Sequence, residues 1–245
     1  MKRIKLFTPL VLAIGLLGAT TGISQAQEFT KDEIGVMVRE YILTHPEIIS
    51  EAIYILQDQA EQQKGQQEGA ALEQMGDLLN NNPIDPIGGN PNGSVTLVEF
   101  FDYNCGYCKR SNSVLQALIK QNPDLKVVYK EWPILSESSS EAAKIALAVN
   151  LAFPDQYEDV HRALLSMSSL RSADDIWKVI DKLKLDRSMV EAMLERPEVA
   201  LHLQQTSTLA QQLGITGTPA FIVGDTILKG AYPIEQIQQA IDSQS

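Results

Sequence analysis

The chain has 245 residues, enough for one domain with an appendage, and a formal net charge of −11 at pH 7. So acidic a protein is a poor partner for nucleic acid or for an anionic lipid surface, and we expect neither among its partners. The apolar fraction of 44% is ordinary for a chain that folds around a core.

The N-terminus has the pattern of a secretory signal peptide. Lys2, Arg3 and Lys5 precede an apolar run over residues 6–17, and the small-x-small pattern of residues 24–26 suits cleavage after position 26. The apolar run is short for a membrane span, although an uncleaved anchor remains the alternative. We expect an exported, soluble mature chain from residue 27 onward, whose net charge becomes −14 once the three basic residues are removed.

The segment over residues 27–80 is predicted to be helical. Thr30 and Glu33 have the spacing of a capping box, and Pro46 suits the first turn of a second helix. The polar stretch Gln57–Glu68 fits either a solvated helix or a flexible connector. Four apolar residues of the first helix recur at helical spacing: Ile34, Met37, Val38 and Tyr41. Such a stripe needs a partner surface, either another copy of the chain or the chain's own second domain.

An Asn-, Pro- and Gly-rich linker is predicted over residues 81–94, before an α/β domain over residues 95–245. The expected order of elements is strand, helix, strand, helical block, strand, strand and helix. The strands are expected at residues 95–101, 125–132, 220–223 and 226–229, the helical block at about 136–213, and the last helix at 233–241.

Cys105 and Cys108, in the order Cys-Gly-Tyr-Cys, are the two cysteines of the chain. A bridge between them closes a very small loop and would stabilise the fold little. Their place between a strand and a helix puts Cys105 at a helix N-terminus, where backbone N–H groups and the helix dipole favour a thiolate. We therefore predict thiol–disulfide exchange, with Cys105 as nucleophile, Cys108 as resolving thiol, and no cofactor besides their own disulfide.

Other uses of the cysteines fit less well. Zinc needs about four ligands, and His45, His161 and His202 are scattered along the sequence, so no metal site is expected. We expect these histidines to be ordinary surface or helix-end residues. An inert disulfide, or transient binding of a soft metal such as Cu(I), stays open as an alternative or side activity.

Residues 98–109 (VEFFDYNCGYCK) and 216–221 (TGTPAF) resemble the DsbA branch of bacterial thioredoxin-like proteins. The resemblance runs from residue 95 to the C-terminus. It implies a thioredoxin-like fold with a helical insertion, preceded here by the N-terminal helical segment.

The same resemblance implies roles for further residues. Pro219 matches a cis-proline that faces the active-site disulfide and helps to hold substrate, and Thr218 would lie beside Cys105. Glu99 matches a buried acid that assists proton transfer at the resolving cysteine. The alternatives are an ordinary turn for Thr218 and Pro219, and a solvent-facing strand charge for Glu99. Lys109 either stabilises the thiolate or is a solvated lysine of the first helical turn.

Gly106 and Tyr107, which tune the redox poise, match the dipeptide of DsbC-type isomerases, and Thr218 is likewise common in isomerases and reductases. The N-terminal helices resemble the oligomerisation segment of ScsC-like proteins. These likenesses imply a periplasmic homo-oligomer, trimer or dimer, that isomerises disulfides of unfolded or misoxidised exported proteins and is served by a membrane redox partner. The alternatives are a monomeric DsbA-like oxidase, reoxidised by a membrane partner, and a non-enzymatic holdase chaperone.

Overall fold

A computed structural model of the chain describes residues 28–244. The predicted signal peptide, residues 1–26, lies outside this range. The chain divides into two compact units, the first reaching Asp58 and the second beginning at Gln59. Within residues 28–244, no helix combines the length and apolarity needed to cross a membrane.

The first unit contains helix α1 (Lys31–Thr44) and the start of helix α2 (Glu47–Gln74). The predicted capping box is present: the Thr30 hydroxyl accepts from the Glu33 amide at 3.3 Å, and the Glu33 carboxylate accepts from the Thr30 amide at 2.9 Å. No residue of α1 is buried. The four residues of the predicted apolar stripe are between 45% and 56% exposed: Ile34, Met37, Val38 and Tyr41.

Helix α2 continues without interruption through Gln57–Glu68, so this polar stretch is helical. The last turns of α2 differ in character from the rest of the helix. Leu72 is buried, and it belongs with Leu79 of the short helix α3 (Gly76–Asn80) to a hydrophobic cluster of the second unit. The final part of the segment predicted as 27–80 therefore forms part of the core of the following domain.

The second unit is built on a five-stranded mixed sheet of order β1-β3-β2-β4-β5. Strands β2 and β3 are parallel, and the remaining neighbours are antiparallel. The central strand β2 is buried on both faces, as its apolar run predicts. The strands are β1 (Ile87–Gly89), β2 (Val95–Phe101), β3 (Leu125–Glu131), β4 (Ala220–Val223) and β5 (Thr226–Lys229).

Strand β1 lies within the segment predicted as a linker, residues 81–94. It pairs with the outer edge of β3, where Ile87 lies opposite Val128. A Cβ at Gly88 would lie 2.8 Å from the Tyr129 ring, so a side chain could not be accommodated there without displacing that ring. This short strand depends on tertiary pairing, and a segment rich in turn-forming residues gives little local indication of it.

The predicted helical insertion is present between β3 and β4, and the DsbA-like thioredoxin fold class is confirmed. The insertion contains α5 (Glu137–Ala152), a 3-10 turn (Pro154–Gln156), α6 (Tyr157–Ser166), α7 (Ala173–Lys182), α8 (Arg187–Leu194) and α9 (Pro197–Gln212). Helix α4 (Gly106–Gln121) connects β2 to β3, and α10 (Ile234–Asp242) follows β5.

The two faces of the sheet contribute to two hydrophobic clusters. Side chains alternate along β2, so Leu97 and Phe101 join one cluster while Val98 and Phe100 join the other. The first cluster packs against α4, α10 and most of the insertion, and contains both cysteines. Both cysteines therefore lie in the larger core of the domain.

The expectation for two of the three histidines was wrong. His161 and His202 are buried at 0% and 1% exposure. His161 lies on the inward face of α6, four residues after buried Tyr157, and its Nδ1 is 3.3 Å from the Tyr103 hydroxyl. His202 lies on α9 with its Nε2 3.1 Å from Asp85. His45 is exposed at the end of α1, as expected for a helix-end residue.

Candidate active site

The chain leaves β2 and enters α4 through a tight turn that places Cys105 at the helix N-terminus. The Cys105 amide donates to the Asp102 carbonyl at 3.0 Å, and Cys105 has extended backbone dihedrals as the N-cap of α4. Its sulfur accepts from the Cys108 amide at 3.4 Å. A sulfur in this position faces the unpaired N–H groups of the first helical turn, which favour a negative charge.

The pKa of Cys105 is lowered to about 5 from an ordinary value of 9.0. The largest cause is the hydrogen bond from the Cys108 thiol; burial opposes the shift, and hydrogen bonds from the Thr218 side chain and from the amides of Cys108 and Tyr107 add to it. Near neutral pH, Cys105 is therefore mainly a thiolate, the reactive form of cysteine.

Cys108 has the opposite electrostatic character. It is fully buried one turn further along α4, and both cysteines are free thiols. Burial raises the pKa of the Cys108 thiol, and its hydrogen bond to Cys105 and the negative charge of Glu99 raise it further. Near neutral pH, Cys105 therefore carries a negative charge, whereas Cys108 keeps its proton.

Glu99 lies on β2, on the face that also carries Leu97 and Phe101 and that packs against α4. Its side chain is 1% exposed, as the family resemblance implies. Burial, followed by the charge on Cys105, raises the pKa of Glu99 to about 8 from 4.5. The charge of Glu99 in turn contributes to the raised pKa of the Cys108 thiol, so the two groups are electrostatically coupled.

Thr218 and Pro219 lie immediately before β4. Because β4 is antiparallel to β2, with Ala220 opposite Phe100, these two residues reach the end of β2 from which the Cys105 turn begins. The Cys105 thiol donates to the Thr218 carbonyl at 3.2 Å, and the Thr218–Pro219 peptide bond is cis. The structure therefore brings Cys105, Cys108, Glu99, Thr218 and Pro219 together.

The two residues between the cysteines differ in exposure. Tyr107 is 59% exposed, with the Arg110 guanidinium 4.3 Å from its ring centroid. A Cβ at Gly106 would meet only the Arg110 side chain, at 3.7 Å. Both residues therefore lie at the open side of the site.

Lys109 is not simply solvated. Its ammonium donates to the carbonyl oxygens of Met167 at 2.7 Å and Ser168 at 3.1 Å, both just after α6. Partial burial lowers its pKa, and the charges of Asp102 and the two cysteines oppose that shift. The lysine thus links the first turn of α4 to the insertion while its charge stays near the thiolate.

Sequence reasoning missed a buried polar group behind the site. Glu131 at the end of β3 accepts from the Tyr103 hydroxyl at 2.9 Å and from the Tyr157 hydroxyl at 2.8 Å. Asp102 and Asn104, on either side of Tyr103, make further bonds to the insertion. An Asp and an Asn in a turn before a helix indicate that their side chains will hydrogen-bond nearby backbone groups. Nothing in the local sequence indicates that they also bond distant residues of the insertion.

Comparisons with known proteins agree with this geometry. Residues 96–242 match the DSBA-like thioredoxin domain, and residues 31–63 match the domain described as the copper resistance protein ScsC N-terminal domain. A thioredoxin-like oxidoreductase from Silicibacter pomeroyi is 42% identical, and the match covers 68% of this chain and 95% of that one, with a TM-score of 0.65. The catalytic domain of Proteus mirabilis ScsC is 31% identical over 72% of this chain and 97% of that one, with a TM-score of 0.66.

Relatives known by sequence are more distant. Disulfide bond formation protein D of Bacillus subtilis is 25% identical, over 70% of this chain and 83% of that protein. The chain also matches two Na(+)/H(+) antiporters of the NhaA type from Salinispora at 25% identity, and it spans only a quarter of their length. The match over residues 96–242 covers more than half of the sequence, and the chain therefore belongs to the DSBA-like thioredoxin domain family of disulfide oxidoreductases.

Proposed function

We propose that this protein isomerises disulfides of exported proteins in the periplasm, as a homo-oligomer. The observation that carries the proposal is the contrast between the two thiols of one helical turn: Cys105 with its pKa lowered to about 5, and Cys108 with its pKa raised by burial. The first thiol attacks readily and the second is slow to respond. In a mixed disulfide, Cys105 is a good leaving group and Cys108 is a slow nucleophile, which favours release by a client thiol over resolution by Cys108.

The reaction begins when the Cys105 thiolate attacks a disulfide of a misoxidised client. A bond forms between Cys105 and one client sulfur, the client disulfide breaks, and the second client sulfur leaves as a thiolate. That thiolate can attack another disulfide of the client. When a client thiolate finally attacks the mixed disulfide, Cys105 leaves as a thiolate, and no net oxidation or reduction has occurred.

The competing outcome is attack by Cys108, which expels a reduced client and leaves a Cys105–Cys108 disulfide. This attack requires that Cys108 lose its proton, and Glu99 is the base that we assign to it. Burial, the largest cause of the raised pKa of Glu99, is still present in the mixed disulfide, so this carboxyl ionises less readily than an ordinary glutamate. Slow removal of the Cys108 proton by Glu99 gives the client time to rearrange its disulfides, which supports isomerisation over net reduction.

The N-terminal helices support the oligomer. The apolar stripe of α1 is exposed, and residues 31–63 match the N-terminal domain of ScsC. Helices that associate through such stripes would bring several Cys105 sites around one client. We further propose a membrane redox partner that keeps Cys105 and Cys108 reduced.

The test compares the mature protein with a deletion of residues 27–63. This deletion keeps Leu72 and Leu79, which belong to the core of the second unit, so the catalytic domain retains its packing. We expect the full mature protein to be oligomeric by light scattering and to reactivate a protein with scrambled disulfides. The truncated form should be monomeric and should lose most of that activity while it still reduces a small disulfide.

Two other results would redirect the assignment. If the truncated monomer oxidises reduced clients as well as the full protein does, and neither form isomerises, the protein is a DsbA-like oxidase. If Cys105→Ala protects unfolded clients from aggregation as well as the parent, and the parent has no redox activity, the protein is a holdase.

A further inference from the structure

We infer that Asp102 is a positioning residue for the thiolate: its carboxylate fixes the turn that carries Cys105 to the segment that enters the helical insertion. The inference rests on the proposed function of Cys105 as nucleophile. It adds a residue whose carboxylate acts through the backbone that holds the Cys105 sulfur; the backbone of Asp102 also hydrogen-bonds the Cys108 thiol.

The Asp102 carboxylate is 1% exposed and accepts four hydrogen bonds. One oxygen, Oδ1, accepts from the Asn104 amide at 2.7 Å and from the Ser139 hydroxyl at 2.8 Å. The other, Oδ2, accepts from the amides of Ile134 at 2.8 Å and Leu135 at 3.0 Å. A carboxylate has about four acceptor positions, and all four are occupied here.

These donors come from two separate stretches of the chain. Asn104 belongs to the turn that ends at Cys105, whereas Ile134 and Leu135 belong to the connection from β3 to α5 and Ser139 to the first turn of α5. The carboxylate thus joins the turn to residues that lie 32 or more positions after Asp102 in the sequence. Because charge-assisted hydrogen bonds are short and directional, the joint restricts the turn geometry.

Asn104 extends the same connection. Its side-chain amide donates to the hydroxyls of Ser136 at 2.9 Å and Ser138 at 3.0 Å, and its carbonyl oxygen accepts from the Leu170 amide at 2.8 Å. The turn before Cys105 is therefore held by both the start and the middle of the insertion. Asp102 and Asn104, the residues on either side of Tyr103, thus both connect the turn to the insertion.

The direction in which the pKa of Cys105 changes distinguishes a positioning role of Asp102 from a purely electrostatic one. Asp102 lies three residues from Cys105, and a negative charge there opposes a thiolate. Removal of the charge alone would lower the pKa of Cys105. If the carboxylate instead positions the sulfur toward the amides of α4, its loss weakens those hydrogen bonds and raises the pKa of Cys105.

The test is Asp102→Asn in the full mature protein. The side chain keeps its shape, but its NH₂ group must face one of the two donor pairs. Two of the four hydrogen bonds are lost if it faces Ile134 and Leu135, and at least the one from the Asn104 amide if it faces Asn104 and Ser139, whose hydroxyl can turn to accept. The thiolate is followed by its absorbance at 240 nm against pH, in the reduced protein, under conditions where circular dichroism shows the variant to be folded. We expect the pKa of Cys105 to rise by about half a unit or more, which is about a threefold change in the thiolate equilibrium.

An unchanged or lowered pKa of Cys105 in folded Asp102→Asn would mean that positioning contributes no more than the opposing effect of the charge, and either result overturns the inference. If Asp102→Asn does not fold, Ser139→Ala decides, because it removes one donor and leaves the carboxylate three. It should raise the pKa of Cys105 in the same direction by a smaller amount. No rise in Ser139→Ala would then overturn the inference.

Asp186→Asn is the matched control. Asp186 caps α8, where its Oδ1 accepts from the amides of Ser188 at 3.0 Å and Met189 at 3.4 Å, away from the cysteines. This variant should leave the absorbance titration unchanged. Failure of the wild-type protein to exchange disulfides would count against the proposed function, whereas the titration of Cys105 tests Asp102 whatever the client activity is.

Discussion

Replacement of Glu99 by Gln should change how the stability of the reduced protein depends on pH. Glu99 is buried, and its pKa in the folded protein is about 8 against an ordinary value of 4.5. Between these two pH values the folded state holds a proton that the unfolded state has released. The free energy of unfolding of the wild-type protein therefore loses the contribution of Glu99 progressively as the pH rises from 4.5 to 8.

The size of the effect follows from the two pKa values. A difference from 4.5 to about 8, at 1.36 kcal/mol for each pH unit, corresponds to about 5 kcal/mol. Gln cannot titrate, so the free energy of unfolding of Glu99→Gln minus that of the wild type should rise by up to that amount over this range. The titration of Cys105 contributes to the free energy of unfolding of both proteins, and taking the difference between them reduces this contribution.

Urea unfolding under reducing conditions, followed by the fluorescence of Trp132 and Trp177, measures the difference at each pH. Glu137→Gln, which makes the same change on an exposed side chain, serves as control for the loss of a surface charge. A difference between Glu99→Gln and wild type that stays constant from pH 4.5 to pH 8 would refute the account of Glu99 as a buried base with a raised pKa.

Three further predictions concern other residues of the second unit. Cys108→Ser should accumulate mixed disulfides with clients, seen as adducts on non-reducing gels, and their absence would contradict Cys108 as the resolving thiol. Lys109→Met removes a fixed positive charge near the thiolate, and should raise the pKa of Cys105 by about half a unit in an absorbance titration; an unchanged value would leave Lys109 only a structural link. Asp85→Ala leaves buried Lys130 and His202 without their carboxylate, and should lower the free energy of unfolding in urea by about 3–5 kcal/mol. A decrease below about 1 kcal/mol would show that the Lys130–Asp85 ion pair is solvated.

Those parts of the fold that depend on local pattern could be predicted from the sequence. Strand β2 begins and ends at the predicted residues, Val95 and Phe101, because a strand buried on both faces has a continuous apolar run. The hairpin of β4 and β5 is equally local, since Gly224 supplies the positive φ of +57° that its turn requires. The position of Cys105 at a helix N-terminus was also predictable, because the cysteine pair follows a predicted strand and precedes a predicted helix.

Features that depend on tertiary contacts could not be predicted in this way. Strand β1 has only three residues, and its pairing with β3 outweighs the turn preference of its own sequence. The burial of His161 and His202 follows from packing of the insertion helices on the sheet, and a histidine on a helix does not reveal which face will be covered. The partners of Asp102 at Ile134 and Leu135 are likewise set by the path of the chain after β3.

The most direct test of the central claim is the rate at which the reduced protein attacks a small aromatic disulfide, measured against pH. We predict a rate that is half-maximal near pH 5, is abolished by Cys105→Ser and persists in Cys108→Ser, because the Cys105 thiolate is the attacking species. A rate that is half-maximal near the ordinary cysteine pKa of 9.0, or that is lost equally in Cys108→Ser, would contradict the assignment of Cys105 as an activated nucleophile.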